Sequence, residues 1–320
     1  MIRTAECVSP MHPDKMCDRI SDRLLDLHLQ QDPNSRVAIE TCGGIGIVFI
    51  TGEVTSNAVV TREDIVRAVH NITTDDTIKV IININSQSPE IAQGVDTGGA
   101  GDQGIMTGYA CRENSNFLPE EYNLARELNK MIFKYHPYDG KTQVTITEDN
   151  KVRVVASFCK VPKNILEDLC RNFFNSLYEI ESLHCNPAGD WNIGGFTADA
   201  GLTGRKLAVD NYGPRVPIGG GAFSGKDCTK VDRSAAYMAR RIAVDLLLSN
   251  SKYQEVFVQL AYAIGYDQPL QATAVIDGVE TSIKGYDLSP NGIIDFLELR
   301  NPIFGRTAGF GHMGCGFSWK

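Results

Sequence analysis

The chain has 320 residues, 42% of them hydrophobic and 22% charged, with a formal net charge of -8. That is the balance of a globular protein too long for one ordinary core, and its acidity gives it no electrostatic reason to seek nucleic acid or an anionic membrane. Apolar runs such as residues 45–50 are strand-sized, and the start "MIRTAECVSP" has neither an apolar core nor a cleavage signature. A membrane span and export are therefore not expected, and the cytoplasm is the expected compartment. The nine cysteines are scattered singly without a C-x-x-C pair, as expected of reduced thiols rather than a zinc ribbon or redox motif.

In chain order, "HPDKMCDRISDRLLDLHLQ" places Met16, Ile20, Leu24 and Leu27 at helical spacing, with Pro13 suited to the first helical position. Two strand-like runs follow, "RVAIETC" and "GIGIVFITGEVT". Thr61 then opens a second helix, with Asp64 three residues on as a capping box, and "TIKVIININ" alternates as a strand. Residues 85–104 are polar and rich in glycine. A loop of that length in a compact protein is usually a lid, a binding loop or disordered. The pattern predicts a helix at about 119–135, strands at 142–148 and 151–159, and a helix at about 163–178. The last stretch reads as a strand "RKLAVDNY", a helix over 230–249, strands at 254–264 and 270–276, and a helix over 290–299. Three blocks of similar element order result. Adjacent strand pairs argue for α+β layers rather than a doubly wound parallel sheet.

Several short motifs carry chemistry. "GGGAFSGKD", residues 219–227, has the spacing of a phosphate-binding P-loop, but Asp227 stands where the magnesium-binding hydroxyl belongs. The preceding "YGPRVPI" is a poor central strand, so the P-loop reading fails on context. What remains is either a flexible glycine turn or another device for polyphosphate. Lys226, Lys230 and Arg233 interleaved with Asp227 and Asp232 suit phosphate oxygens and a bridging hard metal, although a solvated charged turn looks similar. His12 and Asp14 sit at a helix start, where amides and dipole favour anions; they equally suit a histidine cap with a first-turn acid. "GLTGRK" pairs Arg205 with Lys206 after a tight turn. Glu40 and Glu53 lie in apolar strand runs, where an inward carboxylate needs a cation and an outward one faces solvent.

Together and in order, "HPDK", "SQSPEIAQGVD", "GAGDQG", "GLTGRK", "GGGAFSGKD", "KVDRSAAYMAR" and "GFGHMG" resemble methionine adenosyltransferase, the S-adenosylmethionine synthetase family, over residues 12–314. The resemblance implies three α+β domains with pseudo-threefold symmetry and helices on the outer faces of the sheets. Expected boundaries are 1–100 with HPDK and a gating loop, 101–190, and 191–320 with GLTGRK and GGGAFSGKD. It implies attack of the methionine sulfur on C5′ of ATP, with the triphosphate hydrolysed to pyrophosphate and phosphate. It also implies two Mg²⁺ per site, K⁺, and a homo-oligomer, dimer or tetramer, with active sites between subunits.

Carried over position by position, the resemblance gives catalytic roles to His12, Lys141, Arg205, Lys206 and Lys226, with His12 donating to the bridging oxygen of the leaving group. These five would hold the nucleotide together with Lys15, Asp139, Asp190, Trp191, Asp199 and Ala222. Methionine would meet Glu53, Gln87, Asp199 and Lys230. Asp14 and Asp232 would hold Mg²⁺, and Glu40 would serve K⁺. The chain departs from the family at Met11, in place of glycine, at Asp190 and Trp191, in place of a basic residue and Phe, and at Cys228, in place of Pro. "TGG" after "QGVD" replaces a longer insert, and the sequence stops soon after "GHMG". The alternative is a low-activity nucleotide-binding paralogue serving as a regulatory or partner subunit. It would carry the same motifs, and turnover alone separates the two.

Overall fold

The computed structural model describes residues 1–87 and 98–320. The strands are β1 (Arg3–Val8), β2 (Arg36–Gly44), β3 (Ile47–Thr55), β4 (Lys79–Asn85), β5 (Gly104–Cys111), β6 (Gly140–Ile146), β7 (Val152–Phe158), β8 (Ile180–Cys185), β9 (Gly201–Leu202), β10 (Glu255–Tyr262), β11 (Gln271–Ile276) and β12 (Val279–Ser282). The helices are α1 (Pro13–Leu29), α2 (Arg62–Thr73), α3 (Glu120–Tyr135), α4 (Lys163–Phe174), α5 (Leu207–Asp210), α6 (Val231–Ser249) and α7 (Pro290–Leu297).

The strands form three four-stranded sheets in the orders β4-β3-β2-β9, β1-β6-β7-β8 and β12-β11-β10-β5. Each sheet borrows one strand from elsewhere in the chain. The N-terminal β1 completes the middle sheet, β5 completes the C-terminal sheet, and β9 completes the N-terminal one. A long helix packs on each sheet: α1 against β2, α3 against β1 and β6, and α6 against β5 and β10. The result is a pseudo-threefold α+β architecture. In the first two sheets a helix crossover, α2 or α4, joins a parallel pair, β3–β4 or β7–β8, as parallel neighbours require.

Local signals account for most of these elements. His12 caps α1 with Pro13 in its first turn. Thr61 and Asp64 form the expected capping box on α2. The stretch "RKLAVDNY" is corrected from strand to the short helix α5. Asp210 N–H bonds Lys206 O at 2.8 Å and the Asn211 amide bonds Leu207 O at 2.8 Å, so the chain coils where its alternation suggested extension. Among the described residues no helix is long and apolar enough to cross a membrane.

Candidate active site

Helix α1 organises the site. Its apolar row (Met16, Ile20, Leu24) is buried, and so is a second row of four carboxylates, Asp14, Asp18, Asp22 and Asp26. A spacing of four keeps side chains on one helical stripe. The four acids accept backbone N–H groups from three segments: Asp14 and Asp18 from Leu202 and Gly204 of one turn at 3.0 and 2.8 Å, Asp22 from Gly225 at 2.8 Å, and Asp26 from Phe304 and Gly305 at 3.0 and 2.8 Å. Buried carboxylates need such donors, and these acids obtain them by pinning loops onto the helix.

At the N-terminus of α1, His12 Nδ1 accepts the Asp14 N–H at 3.2 Å. With Nδ1 as acceptor, the proton of the neutral ring sits on Nε2, leaving one donor free. Burial, then Lys206 and Lys141, push the His12 pKa down to about 4, so the ring is neutral and its 3.9 Å approach to Asp14 is no ion pair. Asp14 is sealed. Burial would raise its carboxyl, but Lys206 and the Leu202 N–H outweigh burial and hold it below the ordinary range. Lys206 Nζ lies 2.5 Å from Asp14, and Arg205 Nε lies 3.5 Å from the same carboxylate. Lys141 and Asp199 complete this first cluster through their fields on His12. Asp139 lies alongside, accepting Gly195 N–H at 2.9 Å.

The second cluster answers the P-loop question. Residues 225–227 run antiparallel to β2, with Ile39 N–H on Gly225 O at 3.0 Å and Asp227 N–H on Val37 O at 3.1 Å. Gly225 has φ +82°, and a Cβ there would stand 1.9 Å from Ile39 O, so the position requires glycine. The glycines thus let the loop lie against a strand. Lys226 Nζ meets Asp232 at 2.5 Å, and Lys230 pairs with Asp227. Gly221 and Gly104 wall the Asp232 carboxylate; a Cβ on Gly221 would fall 2.2 Å from its Cγ. The two clusters lie side by side along one edge of β2, where Thr203 bonds Thr41 N–H at 2.9 Å and Gly204 packs on Ala222.

The remaining residues are placed elsewhere. Glu40 and Glu53 point outward from β2 and β3, exposed, on the face that also carries Ile47, Phe49, Ile81 and Leu202. Gln87 is half-buried, and its side-chain oxygen lacks a partner among the described residues. Asp190 accepts the Asn186 amide at 3.0 Å, and Trp191, half-buried, accepts the Lys160 N–H on its carbonyl at 2.8 Å. Met11 lies with its sulfur 3.8 Å from Arg19 Nη1 and leaves the α1 cap intact. Lys15, expected at the nucleotide, is fully buried: its ammonium sits 2.5 Å from Asp210 and 3.0 Å from Asp18. Of the expected gating loop, residues 88–97 lie outside the described residues. At its described end Ala100 is buried and tied in both directions to Gly265 and Tyr266.

Asp18, Asp22 and Asp210 lie outside the sequence reading, and Arg233, read there beside Lys226 and Lys230 as suiting phosphate, is fully buried against Asp22 at 2.6 Å. Acids at every fourth position of a helix ordinarily mark a solvated face. The available signal was that Arg19 and Arg23, on a stripe of their own, already give α1 its side for water.

Among the described residues no three His, Cys, Asp or Glu side chains converge as a ready-made metal cage. Single carboxylates beside lysines are nonetheless the donor set that suits Mg²⁺, which binds through one or two carboxylates plus substrate phosphates.

Comparison with known proteins gives one answer along the whole chain. The S-adenosylmethionine synthetase N-terminal, central and C-terminal domain models match residues 1–89, 97–190 and 193–320. An S-adenosylmethionine synthase of Clostridium tetani is 41% identical, covering 97% of this chain and 93% of the relative. One of Brachyspira hyodysenteriae is 39% identical, covering 99% and 95%. The solved structure of an unusual S-adenosylmethionine synthetase from Campylobacter jejuni superposes with a TM-score of 0.88 at 31% identity, covering 99% of this chain and 96% of that one.

Proposed function

The chain belongs to the S-adenosylmethionine synthetase family and makes S-adenosyl-L-methionine from ATP and L-methionine, and from that premise we propose how its residues divide the work. The observation that carries the assignment is a double pairing. Each acid assigned to metal is held at 2.5 Å by a lysine assigned to triphosphate, Asp14 by Lys206 and Asp232 by Lys226. A magnesium–triphosphate complex has the complementary polarity. With that complex bound, Lys206 and Lys226 would turn to phosphate oxygens and Asp14 and Asp232 would face the metal, so that each charge would keep a partner.

The methionine sulfur is a neutral nucleophile and needs no general base. The barrier lies in alignment and in the charge that develops on the leaving triphosphate. Orientation supplies about 7–11 kcal/mol of such a barrier, and each fixed donor aimed at developing charge is worth about 3–4 kcal/mol. His12, neutral and with Nε2–H free, donates to the bridging oxygen of the leaving group. Lys141, Arg205, Lys206 and Lys226 hold the phosphates, and Asp139, Asp190, Trp191, Asp199 and Ala222 border the nucleoside. Glu53, Gln87, Asp199 and Lys230 receive methionine. The departing triphosphate, held by the same cations, is then hydrolysed to pyrophosphate and phosphate. Lys15 belongs to the layer beneath.

The family works with metal ions. Asp14 and Asp232 would hold two Mg²⁺ and Glu40 would serve K⁺, the metal supplying neutralisation of the triphosphate charge. Glu40 and Glu53 have no ion pair in the described chain, and they share their face with exposed Ile47, Phe49, Ile81 and Leu202. A second copy covering this face accounts for both features, giving a homo-oligomer with sites completed between subunits. We place the enzyme in the cytoplasm, with its substrates. The test is incubation with ATP, L-methionine, Mg²⁺ and K⁺ while S-adenosylmethionine and phosphate are followed. Turnover that Asp232→Asn leaves untouched would overturn the metal assignment.

A further inference from the structure

Lys15 and Asp18 lie beneath the site, sealed from solvent and out of reach of any ligand. Lys15 Nζ bridges Asp210 Oδ1 at 2.5 Å and Asp18 Oδ2 at 3.0 Å. The other Asp18 oxygen accepts the Gly204 N–H at 2.8 Å. This triad grips one short segment at two points: Asp18 holds Gly204, and through Lys15 it holds Asp210. Between those points lie Arg205 and Lys206, and α5, which begins at Leu207.

The grip is specific in direction. Gly204 has φ +80° and packs on Ala222, so its N–H can meet Asp18 only in the observed turn. Asp210 N–H bonds Lys206 O at 2.8 Å, so rotation of α5 would carry the lysine with it. One ammonium facing two carboxylates cannot satisfy either acid elsewhere in an interior without water, which fixes the triad in this arrangement.

We propose that Lys15 and Asp18 are positioning residues that aim Arg205 and Lys206 at the triphosphate, an inference that rests on the assignment of those two cations to the triphosphate. The motif lysine then works through Asp18 and Asp210, one layer below the nucleotide.

Helix α1 supplies its own control. Asp26 accepts the Phe304 and Gly305 N–H groups in the same manner as Asp18 accepts Gly204, but that turn carries no group assigned to the reaction. A purely structural role would make the two acids equivalent.

The experiment compares full-length Asp18→Asn, Asp26→Asn and Lys206→Met. It measures kcat, KM for ATP and for methionine, hydrolysis of added inorganic tripolyphosphate, and melting temperature. Asp18→Asn is expected to lower kcat and tripolyphosphate hydrolysis together by about 10- to 100-fold, with KM for methionine unchanged. Asp26→Asn is expected to shift the melting temperature and leave both rates within about twofold. Should Asp18→Asn fail to fold, Thr203→Val removes the hydroxyl that bonds Ser21 Oγ and Thr41 N–H, each at 2.9 Å, from the same turn, and the same split is expected. If Lys206→Met retains tripolyphosphate hydrolysis, the assignment of Lys206 falls and the inference with it. If Lys206→Met loses hydrolysis while Asp18→Asn and Thr203→Val keep it, or if Asp26→Asn loses it equally, the positioning role is overturned and the assignment of Lys206 stands.

Discussion

The turn carrying Arg205 and Lys206 and the glycine-rich loop carrying Lys226 and Lys230 lie next to each other on one edge of β2, yet their charges are balanced in opposite ways. In the loop every cation has its own acid: Lys226 has Asp232, Lys230 has Asp227, and Arg233 has Asp22 in a two-pronged pair at 2.6 and 2.9 Å. Two of those acids lie within six residues of their partners. In the turn, Arg205 and Lys206 share the single carboxylate of Asp14, nearly 200 positions earlier in the sequence. The loop balances its two lysines with its own neighbours, while α1 and β2 pin its backbone. The turn holds surplus positive charge and depends on α1 for both its shape and its balance. Charge that is already neutralised costs little to hold in place. Surplus charge is what an incoming triphosphate is drawn to.

The largest effect should come from removing that surplus. Lys206→Met is expected to lower kcat about 1,000-fold, and Lys226→Met about 100-fold, since removal of one preorganised charge-stabilising donor costs 10²–10³. Rates of S-adenosylmethionine formation and circular dichroism separate a lost contact from a lost fold. Equal losses in the two variants would show that the local pairing of Lys226 has no bearing on its availability.

Next in size is the contrast between the two acids of the loop. Asp232→Asn should lower kcat about 100-fold and raise the Mg²⁺ concentration needed for half-maximal rate. Asp227 accepts Val37 N–H at 2.6 Å and is fully buried, so Asp227→Asn should instead lower the melting temperature while keeping most of the turnover. Magnesium titrations of both variants, with melting curves, decide the matter. A Mg²⁺ requirement unchanged in Asp232→Asn would remove that residue from the metal.

This contrast also explains what could be read from the sequence. The loop's alternation, KDCTKVDR, is visible because its partners are neighbours. The surplus in the turn is not, because Asp14 reaches it only once α1 and β9 have been brought together. The same physical reason separates the elements. Helices announced by their own caps, at Pro13 and Thr61, start within a residue or two of expectation, and the hairpin strands β2–β3 and β6–β7 stand within three residues of it. The strands β1, β5, β8, β9 and β12 have no counterpart in the sequence reading. β1 and β9 complete sheets whose other strands lie far away in sequence, and β5 is buried on both faces over most of its length, so it shows no alternation. Lys15, expected at the nucleotide, is fully buried for a related reason. A motif specifies a residue type, whereas its exposure is decided by Asp18 and Asp210.

A smaller effect tests the glycine wall of the loop. Gly221→Ala places a Cβ 2.2 Å from the Asp232 Cγ, so the carboxylate must move, whereas Gly220→Ala meets open space. A displacement of that order is expected to cost about 10-fold in kcat for Gly221→Ala and nothing measurable for Gly220→Ala. Matched rates in the two variants would show that Asp232 tolerates relocation.

The smallest effect isolates the hold of α1 from any chemistry. Asp26 secures the turn at Phe304 and Gly305 just as Asp22 secures Gly225, but no site residue depends on it. Burial pushes its carboxyl up to about 6, against the opposing pull of the Gly305 and Phe304 N–H groups. The unfolded chain releases this proton near pH 3.9, so between about pH 4 and 6 the folded state holds a proton that the unfolded state has lost. Stability from this source is complete at the acid end of that window and is lost as the pH rises through 6. A displacement of about two units sets an upper bound of about 3 kcal/mol. Asp26→Asn has no proton to exchange, so the difference in unfolding free energy between the parent and this variant should decline from pH 4 to 6 and then level off. Taking the difference cancels the carboxylates remote from Asp26. Denaturant unfolding at half-unit pH steps measures it. A flat difference across the window would mean that the Asp26 carboxyl is ionised throughout, its two N–H donors outweighing burial, and that the helix holds this turn with a full charge.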